Sequence, residues 1–574
     1  MLPDGADAGV GSFVSVPFHG RTAAGWILGP AGEIPAGKLL PVRKVRSQVR
    51  FFDERRLQLL RWVSERYLAP LSVIIERSYP PRVAGEERAP AGTPREASGW
   101  AGAGHAERGR PQPASSSGVL ARYGDPGRLL EPGSVTWLRP LPDDEALVCV
   151  QAVGACEAAG RQGLVLVPEA EPLPATAHAV LDAFGDRAVL FAGGDERTRY
   201  RTWLDILSGR YDVVVGTRPA AFAPLDALGL IWISREAHPG HREERSPTYH
   251  VREVAAARAR LERAACVLAS LSPSVETAAL AERGDVRVAR ASRSLERAAA
   301  PLVETTAPEA EDRSPRLTRL LRSARTAALI VSRRGYGVAR VCRTCGAAAR
   351  CSACGGPIVA EGGEARCAVC GLEGRCSTCG GVSFGIEPGG TERMAQWAAR
   401  VSASGIEVGT AAMVKDLGPR RVELVAILDP DRALARAGIH AGEQALATWM
   451  EAAAWAGPKS GGGRVLVQTK APGHAAIQAL VRWEPVPFLL AEGGRRAEAG
   501  FAPAHPVFRI AGQPPLEERL RGAGAETVLA TSLDERTVCL AAVRPERLAE
   551  FRRDVLRLVA EGIADRVEAE PQIS

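Results

Sequence analysis

The stretch ALVCVQAVGACEAAGRQGLVLVPE, Ala146 to Glu169, decides how the centre of this chain is read. Its apolar runs predict a strand, a small-residue turn, a short helix, and a second strand that ends at Pro168 and Glu169. That is the setting of a phosphate-binding loop, whose GxxxxGK[ST] pattern supplies backbone N–H groups, a lysine for the β/γ-phosphates and a hydroxyl for Mg²⁺. The nearest approach, Gly154 to Gly160, is one residue too long and continues with Arg161 and Gln162.

Further along, short apolar runs (AVLFAG, YDVVVGT, LGLIWIS, CVLASL) alternate with helical patterns (ATAHAVLDAF, REVAAARARLERA). This is the signature of βαβ units and a mostly parallel sheet. A second set begins at AALIVS and continues through VELVAIL and GRVLVQT. Before these, residues 12 to 48 alternate apolar runs with Gly and Pro and predict a small β domain. It is followed by a helix carrying Leu57, Leu60, Trp62, Val63 and Tyr67. Residues 83–118 are rich in Gly, Ala, Pro and Ser and predict a disordered linker, because they hold too little apolar area to offset ordering entropy. After residue 490, HPVFRIAG, ETVLATSL, TVCLAAV and a long amphipathic pattern predict a small α+β domain.

At 574 residues the chain has room for three or four domains. Its net charge of +7 permits a polyanionic partner without requiring one. The only lysines are Lys38, Lys44, Lys415, Lys459 and Lys470, so any mechanism needing a lysine between residues 45 and 414 is excluded. The N-terminus lacks the basic start and apolar core of a signal peptide, and no segment is apolar enough to span a bilayer. A soluble cytoplasmic protein with no membrane partner is expected.

Eight of the 12 cysteines form one series, CxxC-x5-CxxC-x12-CxxC-x5-CxxC: Cys342, Cys345, Cys351, Cys354, Cys367, Cys370, Cys376 and Cys379. Two CxxC loops complete a four-thiolate structural zinc site, so the series implies two Zn²⁺ with no open coordination position. The glycines after each pair, Gly346, Gly355, Gly371 and Gly380, suit the turn of such a loop. The x12 segment GGPIVAEGGEAR can fold as a hairpin and bring the second and third pairs together. A nested arrangement is expected, with Cys342, Cys345, Cys376 and Cys379 on one ion and Cys351, Cys354, Cys367 and Cys370 on the other; the alternative of adjacent pairs leaves little chain in the x5 connections for turning back. Unligated thiols and a redox or chaperone module are the alternatives. Cys149, Cys156, Cys266 and Cys539 sit in apolar surroundings and read as buried small hydrophobes.

SRRGYGVARVCRTCGAAARCSACGGP, with the remaining CxxC pairs and PGGTERMAQW, resembles the zinc-bearing second helicase lobe of the PriA family, also called primosomal protein N-prime. The resemblance extends to VPFHGR, RYLAPL and YPP near the N-terminus. It continues through VVVGTRPAAFAPLDALGLIWI, YHVREVAAARA and LDPDRAL, and reaches RRAEAGFAP and VEAEP near the C-terminus. It implies a multidomain α/β fold. The expected parts are an N-terminal DNA-binding domain over 1–82, a first RecA-like helicase lobe over 119–300, and a second over 301–490 with a zinc insertion at 340–382. A C-terminal domain is expected over 491–574. It further implies a nucleoid-associated replication restart protein that binds abandoned forks and reloads the replicative helicase, most members being 3′-to-5′ helicases. The implied partners are forked or single-stranded DNA, primosome components, the replicative helicase or its loader, and single-stranded DNA-binding protein.

Against that family pattern three motor motifs fail. The first lobe has no phosphate-loop lysine, and arginine is a poor substitute for a compact ammonium there. After LGLIWI the family places an Asp-Glu-Glu-His box for Mg²⁺, but this chain has Ser234, Arg235 and Glu236. Where the family carries two γ-phosphate arginines, AAAWAGPKSGGGR has Trp455 and Pro458. The expectation is a fork-binding scaffold without ATP hydrolysis and with no catalytic or nucleotide-binding residues, whether or not ATP still binds. An active helicase with an unrecognised site, or a zinc-binding interaction protein outside DNA metabolism, are the rivals. The resemblance places Thr217 and Arg218 against the DNA backbone and Phe18 and Arg21 in the N-terminal DNA-binding domain. It also matches Tyr249 and His250 to the tail of a loop that senses single strands. The linker stands where the family has a winged helix, so that contact is expected to be lost. By the resemblance, the family's first strands are expected to precede the point where this sequence begins, so an incomplete pocket for a 3′ DNA end is the expectation.

Overall fold

The computed structural model describes residues 7–30, 40–88, 118–309, 313–332, 340–345, 349–353, 358–361, 364–367, 370–386, 390–402, 405–415, 421–436, 438–533 and 536–571. Near the N-terminus, strands Ser12–Phe18, Arg21–Trp26 and Lys44–Arg50 form an antiparallel sheet with Ser12–Phe18 in the middle. Helix Glu54–Tyr67 follows. Asp53 caps its start by accepting from the Arg56 N–H at 2.8 Å, and Leu68 ends it in a left-handed conformation.

The centre of the chain is two parallel sheets, as expected for RecA-like lobes. In the first, seven strands run in the order Arg287–Arg290, Val135–Arg139, Ala265–Ala269, Leu228–Ser234, Gln162–Leu166, Val213–Gly216, Ala188–Phe191. In the second, five run in the order Leu302–Thr306, Arg464–Gln468, Leu424–Leu428, Ala327–Val331, Ile406–Gly409. Every pairing within these sheets is parallel. The central strands are buried on both faces, which is why they read as continuous apolar runs. A four-stranded antiparallel sheet with helices Leu516–Gly522 and Leu548–Ala560 closes the chain.

The opening stretch departs from its reading. Residues Glu145–Ala158 are one helix of 14 residues, with no strand before Gln162–Leu166 in that segment. Its buried residues, Val148, Cys149, Ala152, Val153 and Cys156, follow helical spacing. Leu147, exposed on the opposite side, and the partly buried Val150 make it apolar nearly all round, and periodicity then loses its power to separate helix from buried strand. The true first strand of the lobe is Val135–Arg139. Part of the predicted linker is described. Within residues 83–88, Glu86 is buried and paired to Arg197, and Glu87 is held by Arg82 and the Tyr200 hydroxyl. The rest of the predicted linker, 89–117, lies outside the described residues.

Candidate nucleic-acid interface and degenerate nucleotide cleft

In a phosphate-binding loop the cradle is the turn between a strand and the helix that follows it. Here that turn is Pro140–Asp144, between Val135–Arg139 and Glu145–Ala158. The Gly154–Gly160 segment instead holds the end of that helix and the turn into the next strand. The true turn is poorly suited to a phosphate. Pro140 and Pro142 have no N–H to offer. The Leu141 N–H is donated to the Tyr123 hydroxyl at 2.8 Å, and that of Asp144 to the Leu141 carbonyl at 3.0 Å. Asp143 and Asp144 place two carboxylates where polyanionic phosphate would lie. Asp144 accepts from Tyr123 Oη at 2.8 Å and pairs with Arg122 at 3.0 Å, while Asp143 pairs with Arg421 of the second lobe.

The Mg²⁺ box is likewise rebuilt as structure. Ser234 donates its hydroxyl to Glu145, at the start of the same helix. Arg235, in a left-handed conformation with φ of 51°, reaches across to donate to the Val414 carbonyl at 3.1 Å and pair with Glu451 at 3.6 Å. Glu236 is fully buried and accepts from the Ser274 N–H at 2.7 Å and from Arg252 at 3.2 Å. Burial pushes its carboxyl above the usual range, against the pull of Arg252. His241, also buried, is within 2.8 Å of the Ser234 carbonyl. Burial drives it down to about 4, so it is neutral at pH 7. Trp455 packs in the second-lobe core, away from any arginine role.

The cysteines fold as nested pairs among the described residues. Cys342 and Cys345 meet Cys376 and Cys379, with Sγ–Sγ distances of 3.5 Å between Cys342 and Cys379 and 3.7 Å between Cys345 and Cys376. Cys351 lies with Cys367 and Cys370, its Sγ 3.8 Å from that of Cys370. Cys354 lies outside the described residues, as do Gly346 and Gly355. The x12 segment forms the expected hairpin, Ile358–Glu361 against Glu364–Cys367. Gly371 and Gly380, with φ of 69° and 72°, take the left-handed turn that closes their loops. Burial would raise the Cys342 thiol, but N–H groups of Cys345 and Thr344 outweigh it and bring it down to about 6. Sulfur atoms gathered to within 4.8 Å of one another suit a tetrahedral four-thiolate zinc site.

The predicted DNA contacts separate into two groups. Phe18, 61% exposed, ends the first strand beside exposed Arg21, and its ring meets that of His19 edge-on at 4.5 Å. These side chains are free to meet a ligand. Thr217 is half-buried at the start of the short turn Arg218–Phe222. Arg218 donates to the carbonyls of Gly240 at 3.2 Å and Arg242 at 2.8 Å and pairs with Glu243. Tyr249 is buried edge-on to Phe222 at 5.4 Å, and His250 caps helix Val251–Glu262 by accepting from the Arg252 N–H. Both are spent on packing in this arrangement.

A cavity of about 250 Å³ lies where the N-terminal part, both lobes and the C-terminal part converge, lined among others by Arg66, Glu253, His440, Glu443 and Glu570. Its charges answer one another: Arg66 pairs with Glu253 at 3.0 Å and Glu570 at 3.4 Å, and His440 with Glu443 at 2.7 Å. Sequence reasoning missed both this junction and the Pro140–Asp144 turn. The Pro-Leu-Pro-Asp-Asp run was the available signal for the latter.

The family model for the PriA 3′ DNA-binding domain matches residues 1–80. Over 556 residues the chain is 31% identical to the probable replication restart protein PriA of Mycobacterium bovis, covering 88% of this chain and 82% of that protein. It is 26% identical to the replication restart protein PriA of Treponema pallidum over the same shares. A solved structure of RecG bound to a three-way DNA junction aligns with a TM-score of 0.37 at 13% identity, covering 64% of this chain and 45% of that one. Among the described residues no helix is long and apolar enough to cross a membrane.

Proposed function

Because the chain belongs to the PriA family of replication restart proteins, we propose that it binds stalled or abandoned replication forks and promotes primosome assembly and reloading of the replicative helicase, without hydrolysing ATP itself. The observation that carries the second half is the Pro140–Asp144 turn, which offers two prolines, two carboxylates and two N–H groups already committed where a phosphate cradle needs free donors and a lysine. The lost Mg²⁺ carboxylates at Ser234 and Arg235 and the lost arginines at Trp455 and Pro458 support it independently.

In this reading DNA meets the N-terminal domain around Phe18 and Arg21, with Thr217 and Arg218 near the backbone path. Two zinc ions would be held by Cys342, Cys345, Cys376 and Cys379 and by Cys351, Cys354, Cys367 and Cys370. They would cross-link a segment too small to fold on apolar burial alone, and supply no chemistry beyond that. Primosome proteins and single-stranded DNA-binding protein are the proposed protein partners.

The test combines ATP hydrolysis by zinc-loaded protein, with and without forked DNA, with anisotropy of the DNA in the same samples. Fork binding that weakens steeply with salt and no turnover is the expected result, since phosphate contacts release counterions. DNA-stimulated turnover refutes the non-hydrolytic reading, and no difference between forked DNA and none refutes the fork-binding one.

A further inference from the structure

The residues that displaced the nucleotide machinery do more than remove it. Arg139, at the end of the strand that leads into the degenerate turn, is 1% exposed. It donates to the Leu271 carbonyl of its own lobe at 3.2 Å and to the Trp483 carbonyl of the second lobe at 2.6 Å. Glu484, the next residue, pairs across the same boundary with Arg290 at 2.8 Å. On the other side of the cleft Arg235 grips Val414 and Glu451, Lys415 pairs with Glu169 at 3.0 Å, and Arg421 pairs with Asp143.

Deeper in, the Val275 N–H is donated to the Glu443 carboxylate at 3.1 Å. Arg496, 2% exposed, pairs with Glu443 at 3.2 Å and with Glu276 at 3.8 Å. Leu271, Val275 and Ala278 of the first lobe share one apolar cluster with Leu446, Trp449 and Phe488 of the second. Between Arg235, Ser270, Ser272, Thr448 and Glu451 lies a small cavity of about 30 Å³. The Ser270 and Ser272 hydroxyls have no protein partner there. Such a space holds a few waters at most, since one water needs roughly 10–15 Å³ of it, and is too small for a triphosphate.

We infer that the two lobes form one permanently closed body, latched by arginines across the former nucleotide cleft, so that the protein presents DNA and its partners with a single fixed surface that nucleotide does not change. Opening the cleft would strand Arg139 without its Trp483 acceptor and uncover the shared apolar cluster. Losing that buried contact and exposing the cluster to water both cost free energy, and the turn offers nucleotide no lysine with which to offset it. A ligand moves such an equilibrium only by its differential affinity for the two states, and this cleft offers ATP none. The inference rests on the proposed absence of an ATP cycle, yet the two fail separately.

The test is hydrogen exchange, followed by mass spectrometry, on the full zinc-loaded chain alone, with Mg-ATP, with a non-hydrolysable Mg-ATP analogue and with forked DNA. Peptides spanning 268–276 and 443–455 report the cleft. The expected result is slow exchange in both that changes less than about threefold with either nucleotide. In Glu484→Ala, exchange in the same peptides rises by about tenfold or more. The exposed Arg421→Ala serves as a second variant, with a smaller rise confined to the Asp143 side. Cleft peptides that exchange at the rate of free chain, or that respond to nucleotide, overturn the latch. If that response comes without hydrolysis, the latch alone is wrong. Hydrolysis with an unresponsive cleft would refute only the absence of ATPase activity.

Discussion

Arg139 Nη2 lies 2.6 Å from the carbonyl oxygen of Trp483, joining the end of the first strand of one parallel sheet to a turn between two helices of the other. The guanidinium also faces Glu296 at 3.5 Å and Glu484 at 3.7 Å, so its charge is answered while its N–H groups are shared between backbone acceptors.

Replacing it with an apolar residue leaves those acceptors and part of the acidic charge buried without a partner. Arg139→Leu is expected to lower stability by about 3 kcal/mol or more, since breaking a buried ion pair from one side costs roughly 3–5 kcal/mol. The readout is the urea midpoint of the first unfolding transition. Arg139→Lys is expected to recover little, because a single ammonium cannot reproduce the fork that reaches Leu271 and Trp483 together. A midpoint unchanged in Arg139→Leu would show that the contact is incidental.

Zinc content should divide along the nested pairs. Elemental analysis of the purified chain is expected to give about two zinc ions, and Cys345→Ser or Cys370→Ser about one each. The double variant Cys345→Ser/Cys376→Ser should also retain about one, because both thiols belong to the same cluster. Loss of both ions in that double variant would mean that the pairs are arranged differently.

Glu570 gives the junction cavity a pH dependence. Burial is the main cause that raises its carboxyl from 4.5 to about 7, with Arg66 opposing and Glu253 and Glu276 reinforcing. The folded state therefore binds this proton more tightly than the unfolded chain. The stabilisation is complete below pH 4.5 and is lost as pH rises through about 7. Melting temperatures across pH 5 to 8 should fall more steeply for the native protein than for Glu570→Gln, with the variant the more stable by on the order of 1 kcal/mol at pH 8. Parallel curves would exclude Glu570 as the titrating group.

Phe18 and Tyr249 should respond in opposite ways. Phe18 is largely exposed, so Phe18→Ala is expected to leave the melting temperature nearly unchanged while weakening fork binding. The loss would be about five- to hundredfold if the ring stacks on a base, an interaction of roughly 1–3 kcal/mol. Tyr249 is buried against Phe222, so Tyr249→Ala is expected to cost roughly 3 kcal/mol of stability through the cavity it leaves. Anisotropy and thermal melting on the same two variants check both halves.

Much of this was legible in the sequence. The alternation of apolar strands and helices specified two parallel sheets, because strands covered on both faces must be apolar throughout. The cysteine spacing specified nested pairs, because only the x12 segment is long enough to turn back on itself as a hairpin. The absence of lysine between residues 45 and 414 excluded the phosphate-loop lysine whatever the register. Tertiary structure decided what sequence could not place. It identified Pro140–Asp144 as the phosphate turn, because Glu145–Ala158 is apolar on nearly every side and its helical period is hidden until burial separates its faces. It set Tyr249 against Phe222 and Arg218 on the Arg242 carbonyl. It also turned Arg139, Arg235 and Arg421 from ordinary basic residues into bridges between lobes, and Arg496 into a link to Glu276 of the first lobe and Glu443 of the second. A side chain's role there depends on partners more than a hundred residues away, and no local pattern encodes which carbonyl or carboxylate the fold will bring to meet it.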